Sequence, residues 1–360
     1  MPVPLFATSL DPYLPRIVER LAEVANGGRY ILGPEVEAFE QELAHFLDVK
    51  HCVGVANGTD AITIALRALG VGPGDEVVCP SFTFYATVEA TISAGATPVF
   101  CDVDPRTFCV NAETVKAAIT PRTKAIVAVH LFGNVAPMGE LRDLGLPVLE
   151  DAAQATGARL DGVRAGALGD AATFSFFPSK NLPCLGDGGA IATNDDDVAH
   201  AVRRLRFHGS DDKQTFVDVG YNSRLDELQA AVLRVLLPEL DGWNAARRAG
   251  ADLYTRDGLG EHVELPLAVD GAEQVHHLYV VRHERADELA AALAQSQIGA
   301  RGYYRTPIHR QPATARYAPA GLELPGTDEA ARTHLALPIG PELSEDDVRE
   351  VVTAVAASAA

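Results

Sequence analysis

Between residues 34 and 48, PEVEAFEQELAHFLD, apolar residues return every three to four positions and put Phe39, Leu43, Phe46 and Leu47 on one helical face. Pro34 suits the first turn of that helix. Beyond it the pattern changes. HCVGVA, EVVCP, TPVFCDV, KAIVAVHLFG and LPVLED are short runs, apolar nearly throughout, with helix-like stretches between several of them. ATFSFF and GGAIATND add two more strands. Strands that are apolar on both faces and alternate with helices predict an α/β fold around a largely parallel sheet.

The alternation stops near residue 235. LDELQAAVLRVLLPELDGWNAARRAGADLYTRD reads as one long helix, or two broken near Pro238. A strand (HHLYVVR), a helix (ADELAAALAQSQIG), a turn-rich stretch (ARGYYRTPIHRQPATARYAPAG) and a final helix follow. Ser344 and Asp347 have the spacing of a cap for that last helix. The expected organisation is a large domain over 1–235 and a smaller α+β domain over 236–360.

A chain of 360 residues, 47% of them hydrophobic, can fill two cores. Its net charge of -19 argues against general affinity for nucleic acid or anionic membrane surfaces, so a phosphate ligand needs a local site. No apolar run is long enough to span a bilayer, and the start lacks a signal-peptide pattern, so the expected setting is cytoplasmic. Cys52, Cys79, Cys101, Cys109 and Cys184 form no CxxC pair and read as buried apolar residues in a reducing compartment. The histidines show no metal-ligand spacing, and no metal is expected.

Lysine is scarce. Only five of the 30 basic residues are lysines, Lys50, Lys116, Lys124, Lys180 and Lys213, and Lys180 sits among Phe174, Phe176, Phe177, Leu182 and Leu185. Desolvating an ammonium lowers its pKa toward a neutral amine able to attack a carbonyl. A lysine whose head snorkels to water is the alternative.

In an open parallel sheet, ligands gather beyond the carboxyl ends of the strands. Asn57, Gly58 and Thr59 make a turn after one strand, where free helix N–H groups can hold an anion; a plain turn with Thr59 as cap explains the same residues. Glu150 and Asp151 end another strand, as a buried carboxylate or as a cap for AAQATG. Phe82, Phe84 and Tyr85 could supply a ring that stacks on a planar ligand, or simply pack in the core. A phosphate cradle, an aromatic plate, a strand-end aspartate and a desolvated lysine are together what pyridoxal 5′-phosphate requires.

These segments, in the order GRYILGPEVEAFEQELA, NGTDAI, PSFTFYAT, GATPVFCDVD, LEDAAQA, FSFFPSKN, GDGGAIAT, GYNSRLDELQAAVL and PIHRQPA, resemble the DegT family of nucleotide-sugar aminotransferases, fold type I enzymes dependent on pyridoxal phosphate. The resemblance implies a mostly parallel seven-stranded sheet in an α/β/α sandwich. It implies that Lys180 is the Schiff-base lysine and that Asp151 partners the pyridine nitrogen. Gln154 stands near the ring hydroxyl, Phe84 is the stacking aromatic, and Gly58, Thr59 and Ser175 bind the phosphate. Asn222 reaches the phosphate of a neighbouring subunit, which implies a homodimer with composite sites. Related dehydratases carry histidine at the lysine position, so Lys180 favours transamination.

The implied reaction moves an amino group from an amino acid, glutamate in most of the family, to a keto-sugar on a nucleotide diphosphate. Arg301, Tyr303, Tyr304, Arg305, His309 and Arg310 are candidate contacts for that acceptor, Tyr304, Arg305 and His309 foremost; a solvated loop explains each equally well. GYYRTPIHRQPA is more similar to the branch that aminates C-3 than to the C-4 branch, although Arg305 departs from it. C-4 amination, a keto-cyclitol or aminobenzoate-type acceptor, and a cofactor-binding regulator without catalysis remain alternatives.

Overall fold

The computed structural model describes residues 2–359. Seven strands form the main sheet: β1 (His51–Val55), β2 (Glu76–Pro80), β3 (Thr97–Cys101), β4 (Thr123–Val129), β5 (Val148–Asp151), β6 (Ala171–Ser175) and β7 (Gly189–Thr193). Their order is β1-β7-β6-β5-β4-β2-β3. Neighbours are parallel except where β7 pairs antiparallel with β1 and β6. The sheet is therefore the mostly parallel α/β one expected. Central positions such as Val78, Val127, Leu149 and Phe174 are fully buried, each contributing roughly 1.5–3 kcal/mol.

Among the described residues, twelve α-helices accompany the strands: α1 (Leu14–Gly27), α2 (Pro34–Leu47), α3 (Gly58–Ala68), α4 (Ala86–Ser93), α5 (Ala112–Ala118), α6 (Met138–Arg142), α7 (Asp196–Leu205), α8 (Glu227–Leu236), α9 (Leu240–Arg256), α10 (Ala286–Gln295), α11 (Pro325–Thr333) and α12 (Glu345–Ala359). In α2, Phe39, Leu43 and Leu47 are buried as the periodicity requires, while Phe46 is half-buried beneath the Arg164 guanidinium. Gly33 gives α2 no side-chain cap. The buried Glu227 carboxylate takes that place, accepting from the amides of Gly33, Glu35 and Val36 at 2.7, 2.9 and 3.0 Å. Pro238 lies in a 3₁₀ turn between α8 and α9, so the long pattern is two helices. Ser344 and Asp347 cap α12 reciprocally.

A second core gathers around the antiparallel pair β8 (Tyr279–Arg282) and β9 (His334–Leu337), with α10, α12 and part of α9. Val3 belongs to this core: it bridges Ile298, and Phe6 bridges Ile339. Among the described residues, no helix is long and apolar enough to cross a membrane. All five cysteines are buried and unpaired.

The topology gathers chemistry at one edge of the main sheet. β1, β2, β4, β5 and β6 all end there: Asn57, Ser81 and His130 follow β1, β2 and β4, and Asp151 and Ser175 are the last residues of β5 and β6. Because β7 runs the other way, its first residue, Gly189, lies at the same edge, opposite Val55 and Ser175.

Candidate active site

Asn57, rather than Thr59, caps α3: its side-chain oxygen accepts from the Asp60 amide at 2.8 Å. That bond leaves the amides of Gly58 and Thr59, at the positive end of the helix dipole, without an acceptor among the described residues. The space above them is tight. A Cβ on Gly58 would lie 2.8 Å from the Ser175 Cβ, and one on Gly189 would lie 2.5 Å from the Asn57 carbonyl. Three chain segments therefore meet closely beside two free amides and the Ser175 hydroxyl.

Glu150 and Asp151 are adjacent on β5 and so face opposite ways. Glu150 is fully buried and accepts from the amides of Gly166, Leu168 and Gly169 at 2.7–2.8 Å and from His130 Nε2 at 2.9 Å. Its four donors make it a structural carboxylate that holds the 166–169 loop. Asp151 is also buried, but no helix follows it; residues 152–158 are turns, so it caps nothing. Its Oδ2 accepts from Thr87 Oγ1 at 2.9 Å and its Oδ1 from the Ala153 amide at 3.3 Å. Burial pushes its carboxyl up; the Thr87 hydroxyl, the Ala153 amide and the Lys180 and His130 charges oppose that shift.

Lys180 follows β6 in a turn closed by its amide on the Phe177 carbonyl, 2.8 Å away. Its side chain is half-buried. Desolvation lowers the ammonium to about 8, against partial compensation by Asp151. About a tenth is then free amine at pH 7 and about half at pH 8, the form a carbonyl nucleophile needs.

Gln154 is buried between two partners. Its Oε1 accepts from the Phe132 amide at 2.8 Å, and its Nε2 donates to the Tyr304 hydroxyl at 3.1 Å. Tyr304 stacks on Phe132 with centroids 6.0 Å apart and lies 6.4 Å from Phe84. Its φ of 55° is left-handed, an unfavourable conformation for a side-chain-bearing residue that here delivers the ring onto Gln154. Phe84 is 57% exposed, with an open face, whereas Phe82 is fully buried in the core. One aromatic of the three is thus presented as a plate.

The other expected contacts divide. Arg305 is engaged elsewhere: its guanidinium donates to the last carbonyls of α11, Ala331 and Arg332, at 2.9 and 3.2 Å, and pairs with Asp287 at 2.7 Å. His309 is buried, its Nδ1 2.6 Å from Ser81 Oγ. Arg310 pairs with Asp328, and Arg301 lies over the Tyr303 ring. Of the three foremost acceptor candidates, the geometry brings Tyr304 to Phe84 and Gln154; Arg305 is taken up by the far end of a helix, and His309 by Ser81. Asn222 is exposed and accepts from Arg224 of its own chain.

Three neighbours of the candidate residues escaped the sequence reading. Thr87 grips Asp151, Phe132 locks Gln154, and His277, held by Asn181 at 3.2 Å, faces the Lys180 charge. For Thr87 a signal existed: Thr83, Thr87 and Thr91 recur at helical spacing, and a buried threonine stripe needs partners.

The depressed Lys180 pKa sets a pH dependence. Below about 8 the folded protein must bury a charge there. Between about 8 and the ordinary 10.5, the unfolded chain still binds a proton that the folded chain has released. Stability then rises with pH across this window. The melting temperature of the cofactor-free protein, taken relative to Lys180→Met, is expected to climb from pH 8 to 10; parallel curves would refute the shift.

Pyridoxal 5′-phosphate fits this arrangement. The free amides of Gly58 and Thr59 beside the Ser175 hydroxyl match a phosphate, the exposed Phe84 face a planar ring, the buried carboxylate a ring nitrogen, and the amine of lowered pKa a carbonyl carbon. The chain matches the DegT/DnrJ/EryC1/StrS aminotransferase family over residues 14–356. It is 46% identical over 340 residues to dTDP-3-amino-3,4,6-trideoxy-alpha-D-glucose transaminase of Streptomyces venezuelae, covering 93% of this chain and 90% of that one. It is 47% identical over 349 residues to a protein of Geobacillus stearothermophilus called pleiotropic regulatory protein, covering 95% and 94%. The crystal structure of S. venezuelae DesV in complex with a ketimine intermediate superposes with a TM-score of 0.95 at 44% identity, over 99% of this chain and 98% of that one. The residues gathered at the carboxyl edge of the sheet and these likenesses agree: the chain belongs to the DegT/DnrJ/EryC1/StrS family and is a pyridoxal phosphate-dependent aminotransferase.

Proposed function

We propose that this enzyme moves the amino group of an amino acid, L-glutamate, onto C-3 of a keto-deoxysugar linked to a nucleotide diphosphate, in amino-sugar biosynthesis. The observation that carries the acceptor is the 46% identity, spread over 93% of the chain, with a transaminase whose name specifies a 3-amino sugar nucleotide. The left-handed Tyr304, held beside Gln154 at the mouth of the site, is the residue we assign to the sugar.

The bound cofactor would supply a carbonyl that exchanges oxygen for nitrogen and a ring that withdraws electrons. The residues would do the rest. The amides of Gly58 and Thr59 and the Ser175 hydroxyl hold the phosphate, and the exposed face of Phe84 covers the ring. Asp151 accepts the pyridine N–H, and Gln154 borders the ring hydroxyl. Lys180 anchors the cofactor and, once freed, carries a proton between the cofactor carbon and the substrate carbon, a role its pKa of about 8 suits. The glutamate skeleton leaves as the keto acid and the sugar as the amine.

The reading extends to assembly: a homodimer whose Asn222 reaches the neighbouring phosphate. In support, Asn222 is exposed on its own chain, as are Phe216, Val217 and Val219 nearby. Mixing inactive Lys180→Ala chains with inactive Asn222→Asp chains should restore part of the activity through one intact hybrid site; a fully active monomer in sedimentation would exclude this. We place the large domain at 1–235 and the small one at 236–360, with the Val3 segment crossing to the second core. The same proposal puts the enzyme in the cytoplasm, where five unpaired cysteines stay reduced.

Incubation with glutamate and, separately, 3-keto and 4-keto nucleotide sugars tests the regiochemistry. NMR should locate the new amine at C-3. Amination confined to C-4, or to a keto-cyclitol, would refute the acceptor assignment and leave the aminotransferase intact.

A further inference from the structure

The buried threonines of α4 and the turn before it divide by what their hydroxyls do. Thr91 donates to the Thr87 carbonyl at 3.0 Å, the ordinary bond to the residue four back. Thr63, Thr255 and Thr333 spend their hydroxyls the same way in other helices. Thr87 does not. Its hydroxyl turns out of α4 to Asp151 Oδ2, 2.9 Å away, and Thr83 Oγ1 lies 3.3 Å behind it. Ionised as the partner of a ring N–H, Asp151 only accepts, so the Thr87 proton must then point at Asp151 and Thr83 must donate to Thr87. The result is a two-hydroxyl chain of donors, fully buried, that ends on one carboxylate oxygen. The other oxygen has only the 3.3 Å contact with the Ala153 amide.

We propose that Thr87 is a positioning residue for aminotransfer: its hydroxyl fixes the plane of the Asp151 carboxylate and keeps it an acceptor for the ring nitrogen of the cofactor. The inference rests on the reading of Asp151 as the partner of that nitrogen. A buried carboxylate without Thr87 has one donor fewer to oppose the cost of its charge, and is free to rotate about the bond to its Cβ. With Thr87 in place, the remaining lone pairs of Asp151 stay directed at one spot.

Two cofactors separate this role from mere packing: pyridoxal 5′-phosphate and its 1-deaza analogue, in which a C–H replaces the ring nitrogen. Dissociation constants for both are measured with wild type, Thr87→Val and Thr87→Ser. Thr87→Val should weaken pyridoxal phosphate about tenfold, the scale of one hydrogen bond to a charged group. It should leave the deaza analogue within about twofold, because that ligand makes no bond to Asp151. Thr87→Ser, which keeps the donor, should behave as wild type. Should Thr87→Val not fold, Thr87→Ala supplies the same comparison. Equal weakening of both ligands, or of neither, would overturn the proposal. A wild type that binds the two equally would instead overturn the reading of Asp151, so the two failures are distinguishable.

Discussion

Lys180→Ala is expected to reduce turnover by at least about four orders of magnitude, because in the proposed assignment it removes both the nucleophile that anchors the cofactor and the base that moves the proton. The fold should survive. Lys180 is half-buried, its backbone bond to Phe177 does not involve the side chain, and its ammonium is penalised rather than stabilised by its surroundings. The amides of Gly58 and Thr59, the Ser175 hydroxyl and Asp151 remain, so the variant should still bind pyridoxamine phosphate, whose amine needs no lysine. Single-turnover measurements with pre-bound pyridoxamine phosphate, alongside a binding titration, check both halves. Retained binding with lost turnover is the expected pair; a variant that turns over within tenfold of wild type would remove Lys180 from the chemistry.

Asp151→Asn should lower activity by roughly two to four orders of magnitude, while the thermal midpoint moves little. The amide is nearly isosteric with the carboxylate, and its oxygen can still accept from Thr87. What it lacks is charge. A neutral side chain cannot hold a proton on the pyridine nitrogen, and without that proton the ring withdraws electrons poorly. Because no helix starts after Asp151, a cap cannot be invoked to explain a loss of activity as a loss of fold. Steady-state rates and melting curves of the same preparation decide the matter. Near-normal rates would mean that Asp151 is a buried structural carboxylate like its neighbour Glu150.

The sequence draws attention to those two residues because each breaks a local rule: an ammonium among phenylalanines, and a carboxylate at the end of an apolar strand. The strands were legible too, since parallel strands buried on both faces have a composition that surface elements do not. What stayed hidden depends on contacts distant in the chain. Arg305 looks available in its turn-rich stretch, yet the carbonyls that claim it belong to residues 331 and 332. His309 is claimed by Ser81, from the end of β2. The pairing of Val3 with Ile298, and the capping of α2 by Glu227, likewise join segments separated by almost two hundred residues or more. Asn57 is a different case: Asn and Thr both suit a cap, and only the bond to the Asp60 amide tells which residue holds the helix start. The threonine stripe on α4 was visible as a spacing, but its carboxylate partner lies 64 residues away in the chain.

The central claim is that one amine among five lysines bears the cofactor. Borohydride reduction of the pyridoxal phosphate-loaded enzyme, followed by peptide mapping, tests it most directly. The pyridoxyl label should sit on the peptide containing Lys180 and on no other. A label fixed on Lys50, Lys116, Lys124 or Lys213, with Lys180 unmodified, would contradict the account.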